Sequence, residues 1–405
     1  MTTPLDIEIR LSVKPLGTQT KHELNATRAL LDGLDFIVAH GGATFRWRSF
    51  WLYTPASVRI GLHITALDFI EKYPMPSLER LEVKHDSSHY AGAEEHQRLG
   101  QILYNRTLVY NPPPTRLKFV TLEWIPNSYL FASLDRPQLV GLTRLELCFS
   151  IALPKLEHIN ALLAANPTLR VLSIDTRLFP YILPGDSEGQ AKLAHLPRIK
   201  LPRLQALALS FRTCNHAYDL WWEQCLLRML DAPNVESLRL RLEMPRSRTS
   251  YIRDFVNYLT KGADLSKPKP LFPSLTGLEL LARRYRGSAS SYIDSFDKEL
   301  LAAYPTITTL VLPNRSQTAV LNTQPWLVPQ LNRLLVRVYS AAELKQVIGE
   351  RCKAGLGPNI VEVPSTGTLY AGWAQSVSQE FDGLGVDVRA SYLRLSQLGR
   401  EILGF

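Results

Sequence analysis

One phrase recurs along the chain and limits what it can fold into: proline, any residue, an apolar residue, two variable residues, leucine, one variable residue, an apolar residue. It reads "PSLERLEV" at Pro76, "PTLRVLSI" at Pro167, "PRLQALAL" at Pro202, "PNVESLRL" at Pro233, "PSLTGLEL" at Pro273, "PTITTLVL" at Pro305 and "PQLNRLLV" at Pro329. Looser copies, "TRLKFVTL" and "VGLTRLEL", end at Leu122 and Leu147. The copies lie roughly 24 to 40 residues apart, the window in which stacked repeat architectures live. The second half of each phrase alternates apolar and variable positions, the period of a strand with one buried face.

Between the copies lie stretches with helical spacing. "LEHINALLAANP" sets Leu156, Ile159, Leu162 and Leu163 on one stripe, and "SYIRDFVNYLTKGA" does the same with Ile252, Phe255, Val256 and Leu259. "ITALDFIEKYP", "YIDSFDKELLAAYP" and "AAELKQVIGERCKAG" read the same way. Several end in the proline that opens the next phrase, and proline cannot continue a helix, so one residue sets both helix stop and strand approach. A helix–turn–strand unit cannot bury its apolar face alone, whereas a stack of them can, each buried leucine contributing roughly 1.5–3 kcal/mol. The expected fold is therefore α/β: a single irregular leucine-rich-repeat solenoid, or horseshoe, with parallel strands on the concave face and helices on the convex one. It is expected to span residues 1–355, with 1–60 as its N-terminal end and 356–405 as a cap packed on the last repeat. The opening "PLDIEIRL" alternates Leu5, Ile7, Ile9 and Leu11 against Asp6, Glu8 and Arg10, and reads as the first strand.

The phrase Leu-x-x-Leu-x-Leu resembles the strand signature of leucine-rich repeats, without the usual asparagine after it. The N-terminal order sharpens the likeness: "PLDIEIRL", the helical "ELNATRALLDGLDFIVAH", "RWRSFWL" at Arg46 to Leu52, then "PSLERLEV". That order resembles the part of fungal F-box proteins that follows the F-box. The resemblance implies a repeat region that presents substrates to a ubiquitin ligase, with the F-box binding the ligase adaptor. The F-box itself would lie upstream of Pro4, so its adaptor-binding residues have no counterpart here. An adaptor partner is expected only if an upstream F-box exists.

Other function classes are weighed by their chemistry. No run of eighteen or more apolar residues and no secretory leader are present, so an intracellular chain, cytoplasmic or nuclear and without a membrane partner, is expected. Cys148, Cys214, Cys225 and Cys352 have no Cys-x-x-Cys spacing, which argues against a disulfide framework and a thiolate zinc site. The cluster "KHDSSHYAGAEEH" holds His85, Asp86, His89, Glu94, Glu95 and His96, but it lacks His-Glu-x-x-His spacing and reads as a solvated loop. No nucleophile frame or phosphate loop is recognisable. We expect no enzyme activity, no cofactor and no metal. In "HAYDLWWEQCLLRML" one of Trp221 and Trp222 is expected in the core and the other at its boundary. Arg46, Trp47 and Arg48 read as a strand with a buried ring between solvated arginines.

The net charge of +9 from 46 basic and 37 acidic residues leaves nucleic-acid binding as the alternative. It would use the second-half cluster of Arg239, Arg241, Arg246, Arg248, Lys261, Lys267, Lys269, Arg283, Arg284 and Arg286. The leading expectation is a non-catalytic interaction module for a protein substrate of unknown identity. In the strands, residues between the buried ones face the concave side. They place Glu82, Lys84, Glu123, Glu146, Asp175, Arg239, Arg241, Glu279, Arg333 and Arg337 at the contact surface, passing from acidic to basic along the chain.

Overall fold

The computed structural model describes residues 3–10, 19–54, 65, 68–70, 72–85, 114–123, 138–149, 153–178, 197–213, 221–244, 249–262, 266–284, 293–313, 315–337, 341–364, 381, 385–391, 400–401 and 403–405. Within them the recurring phrase folds into one repeated turn and strand. In six copies the proline takes the second position of a β-turn closed by the amide two residues on. Leu78 donates to the Met75 carbonyl and Leu169 to Asn166, and Val235, Leu275, Ile307 and Leu331 donate to Ala232, Phe272, Tyr304 and Val328, all at 3.1–3.4 Å. Proline presets the backbone angle that this position needs, and its missing N–H is not one the turn uses. The next residues enter the ladder: Lys118 and Phe119 both donate to the Glu79 carbonyl, and Thr276 and Gly277 both donate to that of Glu236.

The chain divides into two compact units, Met1–Arg203 with Trp221–Asp231, and Leu204–Leu220 with Ala232–Phe405. The first holds β1 (Leu5–Arg10), β2 (Trp47–Thr54), β3 (Arg80–His85), β4 (Phe119–Glu123), β5 (Arg144–Phe149) and β6 (Val171–Leu178). Each pairs in parallel with the next in chain order. The second holds β7 (Ala206–Thr213), β8 (Ser237–Met244), β9 (Gly277–Arg284), β10 (Thr309–Leu312), β11 (Arg333–Val336), β12 (Ile360–Pro364) and β13 (Asp387–Ser391), paired in the same sequential way. Among the described residues the fold is mixed α/β, with these thirteen parallel strands and a separate parallel pair of two-residue strands, Ile199–Lys200 and Leu230–Asp231. β12 and β13 continue the ladder, so residues of the expected cap supply two further strands.

The parallel register lines the phrase's leucines into rows. Phe50, Leu81, Val120, Leu145 and Leu172 are neighbours across the first unit, and Leu207, Leu238, Leu278, Leu310, Leu334 and Val361 across the second. All are buried. Helices α1 (Gln19–Ala39), α2 (Leu156–Ala164) and α3 (Trp221–Met229) belong to the first unit, and α4 (Thr249–Lys261), α5 (Ile293–Ala303) and α6 (Ala341–Lys353) to the second. The α2 stripe of Leu156, Ile159, Leu162 and Leu163 is buried as its spacing predicts, as are Phe255, Val256 and Leu259 of α4.

Trp221 and Trp222 are both buried, which corrects the expectation that one lies at a boundary. Trp222 donates from Nε1 to the Pro154 carbonyl (2.9 Å) and meets Phe149 edge-on. Asn160 of α2 contacts Met229 of α3, and Thr176 of β6 donates to Glu223, so α3 is enclosed on more than one side. Two buried polar side chains fasten the stack by bonding to its backbone. Buried Asn166 accepts from the Leu142 amide and donates to the carbonyls of Leu139 and Leu162. Buried Arg351 donates to the carbonyls of Leu321, Leu327 and Val328 under the Trp326 ring.

At the first edge, Leu5, Ile7 and Ile9 are half-buried while Asp6, Glu8 and Arg10 are exposed. Asp6 takes a two-point contact from Arg48, at 3.2 and 2.6 Å, and Arg10 pairs with Glu8 at 2.6 Å. Charges along an edge strand discourage pairing with another chain. Trp47 is buried and donates to the Gly42 carbonyl, as the Arg-Trp-Arg reading anticipates.

Candidate functional site

Three rows, not two, face away from the core on the longer strands, because the variable residue before the first buried leucine also points outward. In the first unit these rows carry an exposed group of aromatic and charged side chains. Trp51 and Tyr53 come from β2, Arg80, Glu82 and Lys84 from β3, and Phe119 and Glu123 from β4. Parallel pairing sets Trp51 beside Glu82, Tyr53 beside Lys84 and Arg80 beside Phe119.

The group is ordered by one carboxylate. Glu82 receives the Trp51 indole N–H at 3.0 Å, the Arg80 Nε at 2.6 Å, and the Lys84 ammonium. Burial works to raise the Glu82 carboxyl, but Lys84, Trp51 and Arg80 outweigh it and hold it below its ordinary value. The Arg80 guanidinium lies 5.8 Å from the Trp51 ring centre and 5.5 Å from that of Phe119. Cation–π contact of this kind holds rings in place while leaving their outer faces free. Tyr53 remains 42% exposed and Phe119 40%. Pre-positioned aromatics and arginine are the side chains that most often carry binding energy at protein contacts.

The second unit presents the same face differently. Val311, Leu335 and Leu403 form a buried apolar cluster on it, with Phe405 packed alongside. Arg239 is 5% exposed and Glu279 0%, so two residues placed at a solvent-facing contact surface are enclosed. Glu279 bridges β8, accepting from Arg239 Nε at 2.5 Å and from Arg241 at 2.7 and 3.1 Å. Burial brings Arg239 down to about 10; Glu279 opposes the fall, and Arg241 and Arg400 add to it. Arg333 pairs with Glu362, a buried residue that the sequence reading passes over.

The remaining expected contact residues scatter. Glu146 is buried beside Arg144, which binds it at 2.7 Å, while Glu123, Asp175 and Arg337 are half-buried. The acidic-to-basic progression is largely cancelled by pairing: Arg80 and Lys84 neutralise Glu82, Arg144 neutralises Glu146, and Glu279 and Glu362 hold three of the arginines. The reading took Arg333 from the outer row but omitted Arg80, Phe119 and Arg144, which open their strands at the equivalent place. Of the second-half cations, Lys261, Lys267 and Lys269 are exposed. Arg246, Arg248 and Arg286 lie outside the described residues, as do Cys214, the cluster from Asp86 to His96 and most of "YAGWAQSVSQEF".

Among the described residues no three His, Cys, Asp or Glu side chains gather as a metal site would require, and no helix is long and apolar enough to cross a membrane. No protein-family model matches the chain, and no curated protein matches it.

Proposed function

We propose that the chain is a non-catalytic protein-interaction module built as an irregular leucine-rich-repeat solenoid, with the open face of the first unit as its contact surface. One observation carries this reading. Tyr53 and Phe119 stand exposed on a sheet face whose neighbouring side chains, Trp51, Arg80 and Glu82, are already tied to one another. Exposed rings on a rigid parallel sheet bind with little ordering cost, because the rotamers are set before the partner arrives. The sequential strand order supports the repeat architecture, and stacked repeats commonly serve as extended binding platforms. By its resemblance to the post-F-box region of fungal F-box proteins, the partner would be a substrate protein of a ubiquitin ligase.

The test is affinity capture followed by mass spectrometry, run in parallel with the native chain and with a Tyr53→Ala, Arg80→Glu, Phe119→Ala triple variant. The proposal expects proteins enriched on the native chain to be lost from the triple variant, while its cooperative melt is retained. Equal recovery by both would overturn it.

A further inference from the structure

The covered face of the second unit extends that reading to regulation. We propose that this face is a docking site for a helix end of Leu-Gly-aromatic character, kept closed in the free chain by the chain's own Leu403, Gly404 and Phe405. The inference rests on the interaction-module reading and names both a second surface and its occupant.

The face is shaped for that occupant. Leu403 is buried between Val311 and Leu335, and the Arg239 guanidinium lies 5.3 Å from the Phe405 ring centre. Gly277, in β9 between the strands of Arg239 and Val311, makes the room: a Cβ there would come within 2.7 Å of Leu403 Cδ2. Glycine inside a strand often marks such a close approach.

The occupant is attached by side chains. Phe405 donates its amide to the Arg400 carbonyl at 2.8 Å, Gly404 donates to Glu401 at 3.3 Å, and Gly404 has φ +76°. These two bonds and the left-handed glycine make a Schellman cap, which projects Leu403 and Phe405 from the end of a helical turn. Among the described residues, the segment's backbone hydrogen bonds close on itself. The strands beneath it are paired on both sides with each other, so its departure breaks no ladder bond.

Arg400 brings a positive charge toward Arg239. A competing helix end with an acidic residue at that place would trade repulsion for attraction. A face occupied in cis binds in trans with an affinity reduced by the fraction of time it is free.

The experiment uses the full chain and a fluorescein-labelled synthetic peptide of residues 392–405, read by anisotropy. Leu403→Asp, which places a carboxylate in the apolar seat, should bind the peptide at least about tenfold more tightly than the native chain. Adding Leu335→Asp should remove that binding, and the Arg400→Glu peptide should bind more tightly than the native one. A folded Leu403→Asp chain that binds no better than the native chain would overturn the proposal.

Should Leu403→Asp fail to fold, hydrogen–deuterium exchange on the native chain decides without any variant of it. Excess Arg400→Glu peptide should accelerate exchange in the chain's own 400–405 segment, and unchanged exchange at millimolar peptide would refute the idea. Normal partner capture through Tyr53 and Phe119, with the peptide refused throughout, would end this proposal and leave the proposed function standing.

Discussion

Among the described residues, the two units differ on the same face of the same strand architecture: Tyr53 and Phe119 stand exposed on the first, whereas Val311 and Leu335 are covered on the second. On the first, the middle outward row reads Glu8, Trp51, Glu82, Thr121, Glu146 and Ser173; on the second it reads Ala208, Arg239, Glu279, Val311, Leu335, Glu362 and Arg389. Ionic pairs occur on both. Two adjacent strands of the second unit carry apolar residues in that row, and apolar surface left in water costs roughly 25 cal/mol for each Å². Leu403 and Phe405 remove that cost. Whether a repeat face stays open thus depends on one row of side chains.

The sharpest contrast lies between two carboxylates in the same row, Glu279 fully buried and Glu82 half-buried. Glu279 is enclosed with Arg239 and Arg241, so Glu279→Ala strands two cations in a poorly solvated place and should cost about 3–5 kcal/mol in denaturant unfolding. Glu82 is tied to Arg80 and Lys84, whose side chains remain 45% and 34% exposed, and water screens what is lost. Glu82→Ala should cost less than about 1 kcal/mol. Equal losses would break the contrast.

A smaller effect separates apolar positions. Leu335→Ala should destabilise by about 2–5 kcal/mol, because it opens a cavity beneath Leu403. Tyr53→Ala should stay within about 0.5 kcal/mol of the native chain, since the ring is half in water. Thermal and denaturant melts read both.

Acid should sharpen the picture further. The folded Glu82 carboxyl holds its proton less tightly than the ordinary value of 4.5, so the unfolded chain takes up that proton first as pH falls. Its stabilisation is complete above about pH 4.5 and is lost as pH drops through the lower folded value. Glu82→Gln should therefore flatten the pH dependence of the melting temperature below 4.5 by a small but measurable amount. An unaltered acid slope would mean that the carboxylate is not held by Lys84, Trp51 and Arg80 as described.

Much of this architecture was legible in the phrase itself. Proline, leucine and alternation mark the turn, the buried rows and the register; α2, α5 and α6 fall within the stretches whose apolar spacing predicts them, and α4 starts one residue before its stretch. The site was only half legible. Glu82 and Lys84 were found, but Arg80 and Phe119 open their strands and lie before the first buried residue, so a rule that counts only residues between the buried ones passes over them. The cover over the second unit was hidden for a different reason. Segment 400–405 and strands β9 to β11 are far apart in the chain, and no local pattern links them. A signal was present all the same: "TLVL" and "RLLV" place large apolar residues, Val311 and Leu335, between the buried ones where most copies carry a polar residue, as in strands buried on both faces, and "TGLEL" places a glycine at the point of contact. Trp221 was misjudged because adjacency on a helix limits burial only when one side of the helix is packed.

The most direct test is hydroxyl-radical footprinting of the chain alone and with a captured partner bound. If the first unit's open face is the contact surface, oxidation of Tyr53, Trp51 and Phe119 should fall several-fold on binding. A saturated complex in which those three residues oxidise as fast as in the free chain would contradict the account.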